Sequence, residues 1–349
     1  MIEPHDRWMA RAISLAKGGY PAPNPRVGCV IVKSGHIVGE GFHRFAGAPH
    51  AEAMALRNCT EDPKGATVYV TQEPCNHFGR TPPCARALID SQVGKVLIAV
   101  RDPNPVASGG MEALQEAGIA VQLGPGCEGA ERVNWIYLTA VRRRRPIVCV
   151  KAATTIDGFM ADWDGQSKWI TSEKSRRAGH KLRAELGSVL VGRQTVQSDD
   201  PQLTARIPGV INQPLRIVLD PHARLNGNEK LFSQKGETLW FVSETLRTDE
   251  RQTGLGGGTS FDLSQLLQNL CDRGVIGVLI EGGPRTIGAF FDAGLVDQLE
   301  LFVAPKFFGS GLPLRGPNQV RKSAILTKCR VLGQDVHRTY SIPIEPREK

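Results

Sequence analysis

The stretch TQEPCNHFGRTPPCARALI, residues 71–89, decides how the first half of this chain is read, taken together with PHAEAMALRN at residues 49–58. Between them they supply three metal donors, His50, Cys75 and Cys84, and one spare carboxylate, Glu52. One imidazole and two thiolates leave the fourth position of a tetrahedral Zn²⁺ to water, which is what separates a catalytic site from a closed structural one. A non-ligating Glu that shuttles protons completes the inventory of a zinc deaminase, whose general signature is H-x-E followed by P-C-x-x-C. Here eight residues, NHFGRTPP, stand between the cysteines in place of two, so the chain must loop out between its ligands. Gly79, Pro82 and Pro83 suit such a loop. Both AEAMALRN and CARALID are patterned as helices, which places His50 and Cys84 at helix starts, where thiolates and metal-bound anions are favoured. The competing reading is a closed structural zinc site. It needs a fourth ligand; Cys29 and Cys59 are nearest, and Cys29 lies in the apolar run VGCVIV, which reads as a core strand.

At 349 residues and 41% hydrophobic content, the chain is long enough for two independent cores. The opening MIEPHDRWMARAISLAKGG carries acids and mixed charge within a helical pattern, unlike a signal or transit peptide, and no apolar run approaches a membrane span. Eight Cys, two assigned to metal and the rest scattered through apolar segments, point to reduced thiols in a cytoplasm. The net charge of +8 favours anionic partners, phosphorylated small molecules as readily as nucleic acid.

Outward from the zinc motif, VGCVIVKSGHIVGEG reads as a hairpin, ATVYVT and KVLIAV as buried strands and MEALQEAG as a helix, a layered α/β domain. The basic run VRRRRP, residues 141–146, closes it. Its readings are a nucleic-acid patch or a solvated connection, and the lack of interleaved aromatics favours the connection. Domains are therefore expected at 1–145 and 146–349. The second half brings a new alternating series, PIVCVKAATTIDG, SVLVG, LRIVLD, TLWFV, VIGVLIEGG and QLELFVAP, with helical stretches between. The glycine cluster at 254–258 reads as a flexible surface loop.

No G-x-G-x-x-G follows a strand here, so the dinucleotide fingerprint of doubly wound folds is missing. A different cradle is present: VIGVLI runs into Glu281-Gly282-Gly283-Pro284 and a helical pattern, where bare backbone can approach a pyrophosphate. Strand-Gly-Gly-helix is also an ordinary tight connection. Three further clusters support the cradle: residues 151–158, 165–171 and 192–206. Trp169, flanked by hydroxyls, suits the face of a flat ring, and Arg183 and Arg206 suit phosphate. A buried Trp and exposed helix arginines are the plainer alternatives.

At this point the match becomes specific. NPRVGCVIV, GEGFHRFAGAPHAEAMAL, TQEPCNHFGRTPPCARALI and DPNP, then TIDGFMA, GQSKWITSE, HKLRAE, VGRQTVQSDDP and EGGPRTIGAF, resemble in this order the bifunctional riboflavin-biosynthesis deaminase/reductase family. The resemblance covers nearly the whole chain, and the gap of eight residues between cysteines is the family's own spacing. It implies a cytidine-deaminase-like α/β/α domain followed by a dihydrofolate-reductase-like α/β domain. It also implies two consecutive steps: zinc-dependent deamination of 2,5-diamino-6-ribosylamino-4(3H)-pyrimidinone 5′-phosphate, then NADPH-dependent reduction of the ribosyl group to ribityl. The family pattern assigns Asn24, His43 and Asn104 to the base, and Arg80 and Asp102 to the remainder of that substrate. In the second half it places Lys151, Ser167, Arg183, Asp199, Leu203, Arg206 and Glu281 near the substrate. Ala153, Trp169, Thr195, Asp199 and the segment Gly283, Pro284, Arg285, Thr286, Ile287, Gly288 and Ala289 fall near the cofactor. Lys151, Asp199 and Glu281 are the candidates for a proton donor and for a negative group that steadies the developing cation. Pro221 stands where relatives commonly carry a Ser that contacts cofactor. Partners are expected to be the two small molecules and further copies of the chain, with no nucleic acid or membrane.

Overall fold

The structure, a computed structural model, describes residues 4–78, 82–258, 260–314 and 323–343. The chain forms two compact units, Met1–Arg144 and Arg145–Lys349. The first contains α1 (Pro4–Ala16), β1 (Gly28–Lys33), β2 (His36–Phe42), α2 (Ala51–Arg57), β3 (Thr67–Val70), α3 (Cys84–Asp90), β4 (Lys95–Ile98), α4 (Gly110–Glu116), β5 (Ala120–Leu123), α5 (Cys127–Val133) and α6 (Trp135–Arg143). Its sheet runs β2-β1-β3-β4-β5, with the β1–β2 and β1–β3 pairs antiparallel and the rest parallel. Ser34 and Gly35, both with positive φ, make the two-residue turn of the expected hairpin.

Alternation along the strands sorts the first unit into α/β/α layers. Cys29 and Ile31 of β1, Val68 and Val70 of β3, and Val96 and Ile98 of β4 meet Ala51, Ala55, Ala85, Leu88 and Leu114 from α2, α3 and α4. The intervening β1 residues face α1, so close that a Cβ at Gly28 would lie 2.0 Å from the Ala12 carbonyl oxygen. On the other face α2 sits equally tight on β2: a Cβ at Gly41 would lie 2.3 Å from the Ala51 carbonyl oxygen. The bare backbone at Gly41 thus sets the height of the helix that carries Glu52.

The second unit contains β6 (Ile147–Thr155), β7 (Phe159–Asp162), α7 (Glu173–Leu186), β8 (Ser188–Gly192), α8 (Arg193–Asp199), β9 (Leu215–Leu219), α9 (Lys230–Ser233), β10 (Thr238–Val242), β11 (Gln252–Gly254), α10 (Leu263–Asp272), β12 (Gly277–Ile280), α11 (Pro284–Asp292), β13 (Gln298–Ala304), β14 (Gly311–Pro313), β15 (Ile325–Leu332) and β16 (Asp335–Ser341). Its nine-stranded sheet has the order β11-β10-β9-β8-β12-β6-β13-β16-β15. It is parallel from β11 to β13 and antiparallel beyond, while β7 and β14 pair separately. Leu190, Ile217 and Phe241 enter one core and their neighbours Val191, Val218 and Trp240 another. Burial on both faces is why these strands read as unbroken apolar runs. Both units have the expected α/β architecture.

Two details differ from the sequence reading. The glycine cluster begins inside a strand, since Gly254 pairs with Val242 in β11. The β15–β16 hairpin escaped notice because β15 is exposed along nearly its whole length and has no buried face to pattern it.

Candidate active sites

His50 is the N-cap of α2, Cys84 is the first residue of α3, and Cys75 lies in the segment after β3. These three ligand atoms lie within 4.8 Å of one another, the one cluster of possible metal donors among the described residues. His50 Nδ1 is 3.5 Å from Cys75 Sγ and 3.3 Å from Cys84 Sγ. Tetrahedral zinc, with Zn–N about 2.1 and Zn–S about 2.3 Å, needs a nitrogen–sulfur separation of about 3.6 Å, so the donor set fits the ion. The thiols are electrostatically unequal: hydrogen bonds from Cys84 and His50 hold Cys75 well below the ordinary thiol range, and Cys84 is pushed well above it. Three groups competing for protons around one point are what a dication relieves. Neither Cys29 nor Cys59 belongs to the cluster, and Cys29 is buried in the sheet, so the closed-site reading lacks its fourth ligand.

Glu52 lies one step into α2, 3% exposed. Burial and the nearby Cys75 charge raise its carboxyl to about 7, the range in which a carboxyl both takes and returns protons at neutral pH. Beside it the His43 ring meets the His50 ring edge-on at 5.1 Å. His43 Nδ1 donates to the Pro49 carbonyl at 3.2 Å and its Nε2 accepts from the Asn24 amide at 3.3 Å, a neutral tautomer favoured further by burial. Asp102 and Asn104 follow β4; Asp102 is 9% exposed and accepts from Gln72 Nε2 at 2.9 Å and from the Tyr137 hydroxyl at 3.0 Å. Asn104 Oδ1 accepts from the Val106 amide. Arg80 lies outside the described residues.

In the second unit a cleft of about 1620 Å³ opens at the ends of the central strands. Lys151, Ser167, Arg183, Asp199, Leu203, Arg206 and Glu281 line it, so residues 130 positions apart in the chain meet there. Ala153, Trp169 and Thr195 line it too, as do Gly283, Pro284, Arg285, Thr286 and Ala289. Ile287 and Gly288 do not. They occupy the buried side of α11, Ile287 in the core beside Phe290, because a helix cannot turn every residue of a continuous segment toward one side. Leu203 has φ +52° and a side chain in the core, leaving its backbone as the part that can serve a ligand. Pro221, the departure from the family pattern, also borders the cleft.

The electrostatics set Glu281 and Lys151 apart as candidates for proton transfer. Burial pushes the Glu281 carboxyl up, but Arg183 overrides it through two hydrogen bonds, Nε to Oε1 at 2.6 Å and Nη2 to Oε2 at 2.8 Å, and with Lys151 nearby the carboxyl is held at about 2. Glu281 is therefore an anion at neutral pH and no proton donor. Lys151 extends 5.9 Å over the Phe302 ring, and burial lowers its ammonium pKa while Glu281 opposes that. It is no solvated strand end. Asp199 ends α8, and its carbonyl accepts from Lys168 at 3.3 Å. Trp169 is 64% exposed with the Arg176 guanidinium 4.6 Å over its ring, rather than buried.

Sequence reasoning passed over His180, which also lines the cleft. Its Nδ1 donates to the Thr204 carbonyl at 3.0 Å, the same oxygen that accepts from Arg183 Nη1, and burial with the Arg183 and Arg206 charges lowers it to about 4. The signal was present: His180 and Arg183 stand three apart on α7, hence on one face. Eight Lys and Arg side chains line the cleft against three carboxylates, an arrangement for anions. The basic run is spent otherwise: Arg142 pairs with Glu131 at 2.9 Å, and Arg145 with Asp297 at 2.5 Å.

Residues 2–100 match the cytidine and deoxycytidylate deaminase zinc-binding region, and residues 146–338 match the RibD C-terminal domain. The riboflavin biosynthesis protein RibD of Aquifex aeolicus is 42% identical, with 96% of this chain and 98% of that protein covered. That of Escherichia coli is also 42% identical, covering 87% and 88%. Among solved structures, Acinetobacter baumannii RibD superposes with a TM-score of 0.88 at 36% identity, over 98% of this chain and 99% of that one. The diaminohydroxyphosphoribosylaminopyrimidine deaminase/5-amino-6-(5-phosphoribosylamino)uracil reductase of Thermotoga maritima gives 0.85 at 35%, over 97% and 99%.

Proposed function

This chain belongs to the RibD family of bifunctional riboflavin-biosynthesis deaminase/reductases, and we propose on that premise how the work divides between its residues. The deaminase occupies 1–145 and acts on 2,5-diamino-6-ribosylamino-4(3H)-pyrimidinone 5′-phosphate. The reductase occupies 146–349 and reduces the ribosyl group of 5-amino-6-(5-phosphoribosylamino)uracil with NADPH. The observation that carries the first assignment is the convergence of His50, Cys75 and Cys84 beside a buried Glu52.

One Zn²⁺ held by the three donors would supply the acidity that makes water a nucleophile near neutral pH. Glu52 takes one proton from the attacking water and passes it to the ring nitrogen, then moves the water's second proton to the departing ammonia. Asn24, His43 and Asn104 read the edges of the base, while Arg80 and Asp102 hold the remainder of the substrate. His43, neutral and buried, serves as a hydrogen-bonding group rather than a charge.

In the cleft NADPH would supply the hydride. Lys151 donates the proton that opens the ribose, the Asp199 carboxylate steadies the cationic imine, and Arg183 keeps Glu281 ionised beside them. Arg183 and Arg206 take the phosphate, with Ser167 and the Leu203 backbone along the substrate. Ala153, Trp169, Thr195, Asp199 and the face of α11 carrying Pro284, Arg285, Thr286 and Ala289, reached through Gly283, form the cofactor side; the buried Ile287 and Gly288 support that face. The excess of cations around the cleft supports two phosphorylated ligands.

No helix among the described residues is long and apolar enough to cross a membrane, and free thiols support a cytoplasmic enzyme. Self-association is supported by Ile325, Leu326 and Val331, exposed on the edge strand β15. A coupled assay that scores ammonia release and NADPH oxidation separately, with zinc analysis, tests both assignments. A chain that performs neither reaction, or oxidises NADPH without regard to the deaminated substrate, would contradict them.

A further inference from the structure

Asn24, Cys75 and the Asp102–Asn104 turn come from three separate connections of the first unit, after α1, β3 and β4. Residues from a fourth place tie them together. Asn134, buried where α5 meets α6, accepts from the Arg26 amide at 2.7 Å and donates from Nδ2 to the Arg26 carbonyl at 2.9 Å and to Gln72 Oε1 at 3.2 Å. Gln72 then donates through Nε2 to Asp102 Oδ2 at 2.9 Å. One helical turn beyond Asn134, the Tyr137 hydroxyl donates to Asp102 Oδ1 at 3.0 Å. From the strand side, Glu73 accepts from the backbone amides of Asp102 at 3.1 Å, Gly109 at 3.0 Å and Met111 at 3.2 Å. Asn134 and Tyr137 are both beyond residues 2–100, the extent of the deaminase family match.

We propose that Asn134 and Tyr137 are positioning residues of the deaminase: the α5–α6 corner holds the loops of Asn24, Asp102 and Asn104 in register with the zinc donors and thereby sets substrate affinity. The proposal rests on the reading in which those three residues bind substrate. Asn134 uses its acceptor and its amide on two loops at once, and Tyr137 reaches the third with a group that fixes a buried carboxylate. A side chain kept only for packing would need neither the amide nor the hydroxyl. Inside a low-dielectric interior such a network admits few alternative geometries, and displacing a binding loop by about 1 Å can cost up to about 100-fold in activity.

The test uses the full-length, zinc-loaded chain. Tyr137→Phe keeps the ring and removes the hydroxyl; it should raise the deaminase KM about tenfold with kcat nearly unchanged, zinc content intact and NADPH oxidation unaffected. Asn134→Asp keeps the acceptor for the Arg26 amide and loses both donors, and should move KM the same way. In an Asp102→Asn background, itself raised in KM, Tyr137→Phe should add little. A lowered melting temperature with an unchanged KM in both variants would reduce the network to packing and overturn the proposal, as would full additivity with Asp102→Asn. An unchanged KM in Asp102→Asn alone would instead overturn the substrate reading beneath it, and the proposal with it.

Discussion

Replacing Arg183 by Met should strand a buried carboxylate. In the native unit Glu281, with its side chain 11% exposed, is held at about 2 against an ordinary 4.5. At about 1.4 kcal/mol per pH unit this depression corresponds to roughly 3 kcal/mol of stability at neutral pH. Removing one member of a buried pair costs about 3–5 kcal/mol by experience with such pairs, so the two routes agree in scale. The sign follows from the lowered pKa. The native contribution is complete above the unfolded value of about 4.5 and is lost as pH falls through the folded value. In Arg183→Met the carboxyl keeps its burial with only Lys151 as a nearby ammonium, so its pKa rises from the native value, the variant is penalised most at neutral pH and the gap between the two proteins narrows on acidification. Urea unfolding from pH 7 down to pH 3, followed through the second unit by amide exchange on α7 and β12, reads that gap. Arg183→Met/Glu281→Gln should recover a large part of it. A gap below about 1 kcal/mol at pH 7, or a double variant no more stable than the single one, would refute the assignment of Glu281's low pKa to this pair.

Cys75→Ser should lose zinc and deamination together, whereas Glu52→Gln should keep the metal and lose about 10²-fold or more in turnover; elemental analysis beside an ammonia assay distinguishes them. Lys151→Met and Asp199→Asn should each lower NADPH oxidation about 10²-fold with deamination unchanged, and near-native rates in both would remove them from the reaction. Gly41→Ala should destabilise the first unit by about 1–3 kcal/mol through overpacking, since its Cβ would meet the Ala51 carbonyl at 2.3 Å; the deaminase should suffer and the reductase should not, as melting curves and the two assays would report.

The zinc donors were legible because metal chemistry restricts both residue type and order: few patterns besides H-x-E with two cysteines place an imidazole, two thiolates and a free carboxylate together. The buried strands were legible for a related reason, since Val148, Val150, Leu190 and Ile217 are apolar wherever a sheet is covered on both faces. The exposed β15 left no such trace, because nothing buries it. Placement and charge in the second unit needed the tertiary structure. Lys151, Asp199 and Glu281 look alike as candidates in the sequence, and only the bidentate contact with Arg183 shows that Glu281 stays ionised. Ile287 and Gly288 could be separated from Thr286 and Ala289 only once the orientation of α11 was known. Asn134 and Tyr137 carry no motif at all: their amide and hydroxyl act on residues 30 or more positions away. Residue type and spacing determined which chemistry this chain can perform. The proton each carboxyl holds and the face each helix presents depend on charges and backbone brought together from distant positions, and only the folded chain decided them.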